Sequence, residues 1–133
     1  VGAEGVQVGT RFVCTQEASS HAAFKQKVLE AGEGDTELVL KKLTPVRLLK
    51  NSFYQQIKEA EEQGVPKESL ATLLGHGRAK KGMFEGDLEA GELEIGQIAS
   101  TIKNIQPATE VFNEIRSEFN TALDELCRTG VKA

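Results

Sequence analysis

The residues best suited to chemistry lie near the start of the chain, where Gly9-Thr10 falls within the β-rich run Gly5-Val6-Gln7-Val8-Gly9-Thr10-Arg11-Phe12-Val13. A glycine lets an anion approach the backbone with no Cβ in the way, and a threonine adds a hydroxyl donor. A helix starting just beyond would add free amides and a partial positive charge, the environment a phosphate prefers. The same residues also suit a plain bend in a core strand, since glycine within a strand pattern marks a bend or a close backbone approach. Taken alone, the residues leave both readings open.

The other reactive side chains form no recognisable constellation. His21 sits where a helix should start, and His76, between Gly75 and Gly77, reads as a turn residue. There is no Cys-x-x-Cys, no His-x-x-x-His and no group of carboxylates around a histidine, so no metal site is expected. Cys14 has Arg11 nearby in sequence but no histidine placed to deprotonate it, so no catalytic residue is assigned within the chain. Cys14 and Cys127 are read as reduced thiols rather than a disulfide. Lys41, Lys42, Arg47 and Lys50, with Arg78, Lys80 and Lys81, form two basic clusters that suit either an acidic partner or a solvated face. Met83, Phe84 and Phe53 suit either an apolar tunnel or the core.

Elements must position these groups. Residues 5–13 read as a strand with Val6, Val8, Phe12 and Val13 as apolar members. A helix follows to about Ala31, burying Phe24, Val28, Leu29 and Ala31, with Gly32 as a left-handed cap. Thr36 to Leu43 is a short strand or an extended arm. Pro45 then opens a helix reaching Gln63 through Val46, Leu48, Leu49, Phe53, Ile57 and Ala60. Pro66 opens another, carrying Leu70, Leu73 and Leu74, which Gly75-His76-Gly77 breaks. Gly82, Gly86, Gly91 and Gly96 mark a looping stretch of close backbone approaches. The clearest helix starts at Pro107 and repeats apolar residues at Val111, Ile115, Phe119, Ala122, Leu123 and Leu126 before Gly130.

One strand cannot satisfy its own backbone, so residues 6–13 must pair with the segment near 37–43 or with polypeptide outside this sequence. The opening Val1-Gly2-Ala3-Glu4, with no initiator methionine, agrees with a chain cut from a longer protein. The 133 residues carry 20 acidic and 16 basic side chains, a net charge of −4, which argues against nucleic acid as a partner. No run of 18 apolar residues is present, so no membrane span is expected. A cytoplasmic globular chain is the expectation.

Gly2-Ala3-Glu4-Gly5-Val6-Gln7-Val8-Gly9-Thr10-Arg11-Phe12, followed by Thr15, Glu17 and His21, resembles the last barrel strand and following helix of one flavoprotein family. That family comprises the nitronate monooxygenases (2-nitropropane dioxygenases) and the flavin-type enoyl-acyl carrier protein reductases. The resemblance continues through Val46-Arg47-Leu48-Leu49-Lys50-Asn51, similar to the family's Val-Arg-x-x-Lys-Asn, and resumes at Gly86-Asp87. Gly96-Gln97-Ile98-Ala99 is similar to its Gly-Gln-x-Ala-Gly element, with Ser100 in place of the final glycine.

The resemblance implies an α/β fold, the C-terminal portion of a (β/α)8 TIM barrel with a mostly helical extension. Residues 1–31 would hold the last strand, phosphate loop and helix; 32–101 a helical excursion with the glycine-rich loop; 102–133 the C-terminal helix. It implies that FMN binds through its phosphate to Gly9 and Thr10, with Gln7 beside them, and that the catalytic histidine lies upstream of this chain. Gly96-Gln97 either approaches the flavin or forms a close-packed turn. The favoured activity is an FMN-dependent enoyl-acyl carrier protein reductase, using NADH or NADPH to reduce an acyl carrier protein-linked enoyl thioester in fatty-acid elongation. The alternatives are a nitronate monooxygenase or, for the chain standing alone, a colourless helical binding module. The expected partners are that substrate and the missing N-terminal part of the barrel. The oligomeric state is open, with a homodimer among the options.

Overall fold

A computed structural model describes residues 2–130. In chain order the elements are α1 (Thr10–Val13), α2 (Ala22–Glu30), β1 (Thr36–Val39), β2 (Val46–Leu49), α3 (Ser52–Glu62), α4 (Lys67–Leu74) and α5 (Ala108–Arg128). A π-helical turn, Lys80–Phe84, and a 3-10 turn, Gln97–Thr101, lie between α4 and α5.

β1 and β2 form an antiparallel hairpin in which Thr36 faces Leu49 and Val39 faces Val46. The sequence reading carried Val46–Leu49 into the next helix, and the hairpin corrects it. Apolar residues at 46, 48 and 49 satisfy a strand period as well as a helical one, and the partner strand decides between them. Arg47 Nη1 donates to the carbonyl and hydroxyl of Thr36, both at 3.2 Å, and ties the hairpin across its width. The free edge of β2 is covered by the chain returning from the glycine-rich loop. The amide of Leu49 donates to the Leu93 carbonyl at 2.9 Å, and that of Ile95 to the Arg47 carbonyl at 3.1 Å. α3 therefore starts later than expected, at Ser52, with Asn51 as its cap.

Two apolar clusters share the hairpin. One gathers Phe24, Val28, Leu49, Leu93, Ala99 and Ile102 between α2 and the 3-10 turn. The other gathers Val39, Leu40, Leu48, Phe53, Tyr54 and Ile57 beneath α3. At the rim of the second, Glu37 accepts hydrogen bonds from the Lys58 ammonium and the Tyr54 hydroxyl, and these hold its carboxyl below the ordinary range. A depressed carboxyl pKa stabilises the fold above the unfolded value, about 4.3, and the contribution disappears as pH falls through the lower folded value. Lys58→Met is therefore expected to lower the thermal midpoint near neutrality, and the gap from the parent should close in acid. A gap that stays constant with pH would remove Glu37 from the explanation.

Two further expectations are corrected. Residues 2–9 carry no strand ladder and lie exposed, and Thr10–Val13 is helical. A ladder needs a neighbour's backbone, and β1, one proposed neighbour, is already paired with β2. Gly32 is not left-handed; Gly34, at φ +85°, makes the turn, while the Asp35 carboxylate accepts from the Gly32 amide at 2.7 Å. The helix after Pro107 forms as expected, yet of its apolar stripe only Val111 is buried. Phe119, Leu123 and Leu126 lie exposed along α5.

Candidate cofactor site

Gly9 caps α1, and its carbonyl accepts from the amides of Phe12 at 2.9 Å and Val13 at 3.2 Å. The amides of Gly9 and Thr10 make no hydrogen bond among the described residues. An added Cβ at Gly9 would meet nothing within 4 Å, so the backbone there is open to a ligand. Thr10 Oγ1 accepts from the amide of Gly96 at 2.9 Å, a contact between residues 86 positions apart. Its hydroxyl proton has no acceptor among the described residues. Gln7 lies exposed two residues before Gly9.

α1 is anchored through Arg11. Its guanidinium donates to the Asn104 carbonyl at 3.4 Å, the Asn104 side chain at 3.0 Å and the Gln106 side chain, and it pairs with Glu114 on α5 at 3.7 Å. Beyond α1, Lys25 is a buried lysine whose ammonium donates to the carbonyls of Thr15 at 2.6 Å and Ala18 at 2.8 Å. These two bonds fix the polar loop that leads into α2. Sequence reasoning passed over Lys25, since a lysine on a half-polar helix carries no mark of burial.

Beside Gly9 runs an open apolar groove of about 360 Å³ lined by Val8, Phe12, Phe24, Met83 and Phe84. Met83 and Phe84 come from the π-helical turn, a rare geometry that recurs at functional positions. Phe53, grouped with them in sequence, is instead fully buried beneath α3. The turn is held by two glycines set backbone to backbone. A Cβ at Gly82 would lie 2.6 Å from the Glu92 carbonyl oxygen, and one at Gly91 only 2.2 Å from the Gly82 Cα. At Gly86, φ is +81° and a Cβ would strike the His21 ring at 2.4 Å.

The remaining sequence candidates take structural places. His21 caps α2, its Nδ1 accepting from the Ala23 amide at 3.1 Å, and His76 lies exposed between Gly75 and Gly77, both at positive φ. Arg78 lies 4.6 Å over the Phe53 ring and donates to the carbonyls of Leu74 and Ala90, each at 2.9 Å. Lys80 pairs with Glu85 and Lys81 with Asp87, so the second basic cluster is largely engaged internally. Lys41, Lys42 and Lys50 are exposed. Among the described residues no group of three or more His, Cys, Asp or Glu side chains could hold a metal, and no helix is long and apolar enough to cross a membrane.

Cys14 is buried and Cys127 exposed, both as free thiols, and burial pushes the Cys14 thiol up. A raised pKa leaves less of the reactive thiolate at neutral pH. An aromatic disulfide reagent is expected to titrate Cys127 quickly in the folded protein and Cys14 only after denaturant is added. Two equally fast thiols would contradict the burial.

Amides at Gly9 and Thr10 without partners among the described residues, a hydroxyl proton not yet donated and open space at Gly9 fit the phosphate end of a flavin mononucleotide. The nitronate monooxygenase family model matches residues 1–118. The chain belongs to that family. Its members are FMN-dependent flavin oxidoreductases. A probable nitronate monooxygenase of Bacillus subtilis is 34% identical over 119 residues, covering 89% of this chain and 34% of the relative. A second, from Staphylococcus saprophyticus, is 25% identical over 118 residues, covering 87% and 33%. The chain thus spans about a third of the length of these curated relatives.

Among solved structures, FabK from Thermotoga maritima is 34% identical with a TM-score of 0.85, over 96% of this chain and 40% of that one. Its M276A mutant gives 31% and 0.79, over 96% and 38%. These FabK proteins are TIM barrels, and this helix-rich α/β chain corresponds to part of one. The expected fold class stands at that level. The bound flavin supplies the electron-transfer chemistry of the family, and this chain's residues would bind and orient it.

Proposed function

We propose that these residues complete the FMN site of an enoyl-acyl carrier protein reductase acting in the cytoplasm, with NADH or NADPH as reductant. Gly9 and Thr10 hold the FMN phosphate, with Gln7 beside them, while polypeptide outside this sequence supplies the remaining contacts and the catalytic histidine. The observation that carries the reading is the apolar groove alongside Gly9. It would seat the hydrocarbon of an enoyl thioester next to the flavin-binding backbone. The likeness to FabK supports the same branch. The exposed Lys41, Lys42 and Lys50 suit an acidic carrier protein.

A second reading, nitronate monooxygenase, has the family model and the curated relatives behind it. The two separate cleanly in the full-length protein. A reductase consumes NADH in step with a crotonyl thioester, whereas a monooxygenase takes up oxygen with an alkyl nitronate and ignores the thioester. Oxygen uptake without thioester turnover would replace the first reading by the second. Absence of a flavin absorbance band would remove both.

A further inference from the structure

We propose that Gly96 is a positioning residue for the phosphate-binding hydroxyl of Thr10, an inference that rests on the reading of Gly9-Thr10 as the FMN phosphate site. Threonine at the start of a helix has two competing χ1 wells, and its hydroxyl can turn back to a backbone carbonyl instead of facing a ligand. Here the amide of Gly96 donates to Thr10 Oγ1 at 2.9 Å. That bond occupies the oxygen as an acceptor and leaves its proton to be given away. A phosphate oxygen accepts such a proton.

The lever is rigid on both sides. Before Gly96, the Ile95 amide is bonded to the Arg47 carbonyl at 3.1 Å; after it, the Ala99 amide is bonded to the Gly96 carbonyl at 3.1 Å, and Ala99 is fully buried. The position also has to be glycine. A Cβ at residue 96 would lie 2.5 Å from Thr10 Oγ1, so any side chain pushes the hydroxyl out of place. The backbone angles do not impose this, because Gly96 lies at φ −73°, open to every residue. The Gly-Gln element therefore serves the site through Thr10.

The test compares two flavins on the full-length apoprotein, FMN and riboflavin, which lacks the phosphate, by quenching of flavin fluorescence. Gly96→Ala is expected to weaken FMN about tenfold or more and to leave riboflavin nearly unchanged. Thr10→Val should show the same selective loss. The double variant Gly96→Ala/Thr10→Ala, which relieves the clash, should bind FMN no worse than Thr10→Val alone. Equal losses of both flavins in Gly96→Ala, or losses that multiply in the double variant, would overturn the proposal. Selective loss in Thr10→Val with none in Gly96→Ala would overturn it while sparing the phosphate reading. Unchanged FMN binding in Thr10→Val would remove that reading and this inference together.

Discussion

Phe53→Ala is expected to cost about 3–5 kcal/mol of folding stability, the range for truncating a fully buried aromatic ring. The ring is 0% exposed at the centre of the cluster beneath α3, among Val39, Leu40, Leu48 and Ile57. Those neighbours sit on a hairpin and a helix fixed by their own hydrogen bonds, so they cannot collapse far into the space left. The loss also strips Arg78 of the aromatic face 4.6 Å from its guanidinium. The arginine keeps its two carbonyl bonds, so the cation–π share is a minor part, about 1 kcal/mol at a partly exposed site. Urea unfolding measures the total. Phe112→Ala provides the control: the same chemistry at a residue 56% exposed should change stability by less than about 0.5 kcal/mol. Equal costs at the two positions would contradict the placement of Phe53.

Asn51→Ala is expected to cost about 3 kcal/mol through three separate bonds. Its Oδ1 accepts from the Tyr54 amide at 2.8 Å and caps α3, a role that contributes about 1 kcal/mol. Its Nδ2 donates to the carbonyls of Leu88 and Gly91, each at 2.8 Å, and holds the glycine-rich loop against the start of the helix. Leaving those partly buried acceptors unpaired adds about 1 kcal/mol apiece. Asn51→Asp separates the two roles in the same urea experiment. It keeps the cap, loses both donations and sets a carboxylate against two carbonyl oxygens, so it should be at least as damaging as alanine. If aspartate proved harmless, the cap alone would matter and the loop contacts would carry nothing.

Where the sequence contained its own punctuation, the elements could be read directly. Pro66 and Pro107 open helices where expected, Gly75 and Gly77 break one at positive φ, and the close approaches at Gly82, Gly86 and Gly91 follow from glycine spacing. What depended on distant neighbours was less legible. Val46–Leu49 fits two periods, and only β1 and the returning Leu93–Ile95 segment make it a strand. Residues 5–13 have strand composition, yet composition cannot provide a pairing partner. An asparagine just before a helical run is a cap signal, but the apolar period running on from Pro45 hides the boundary that Asn51 marks. The candidate site divides in the same way. Gly9 and Thr10 were visible as residue types, whereas the bond from Gly96 to Thr10 spans 86 positions with no local trace.

The hairpin has one more consequence. Consecutive residues of β2 point to opposite faces, and Leu48 belongs to one apolar cluster while Leu49 belongs to the other. β2 is thus a party wall between two rooms. Loosening the α3 side bares Leu48 and frees the strand that carries Leu49, so neither half can open quietly while the other stays shut. A register slip of one residue would exchange the two leucines and spoil both interiors at once. A single cooperative unfolding transition, rather than two, is the result expected of cores joined in this way.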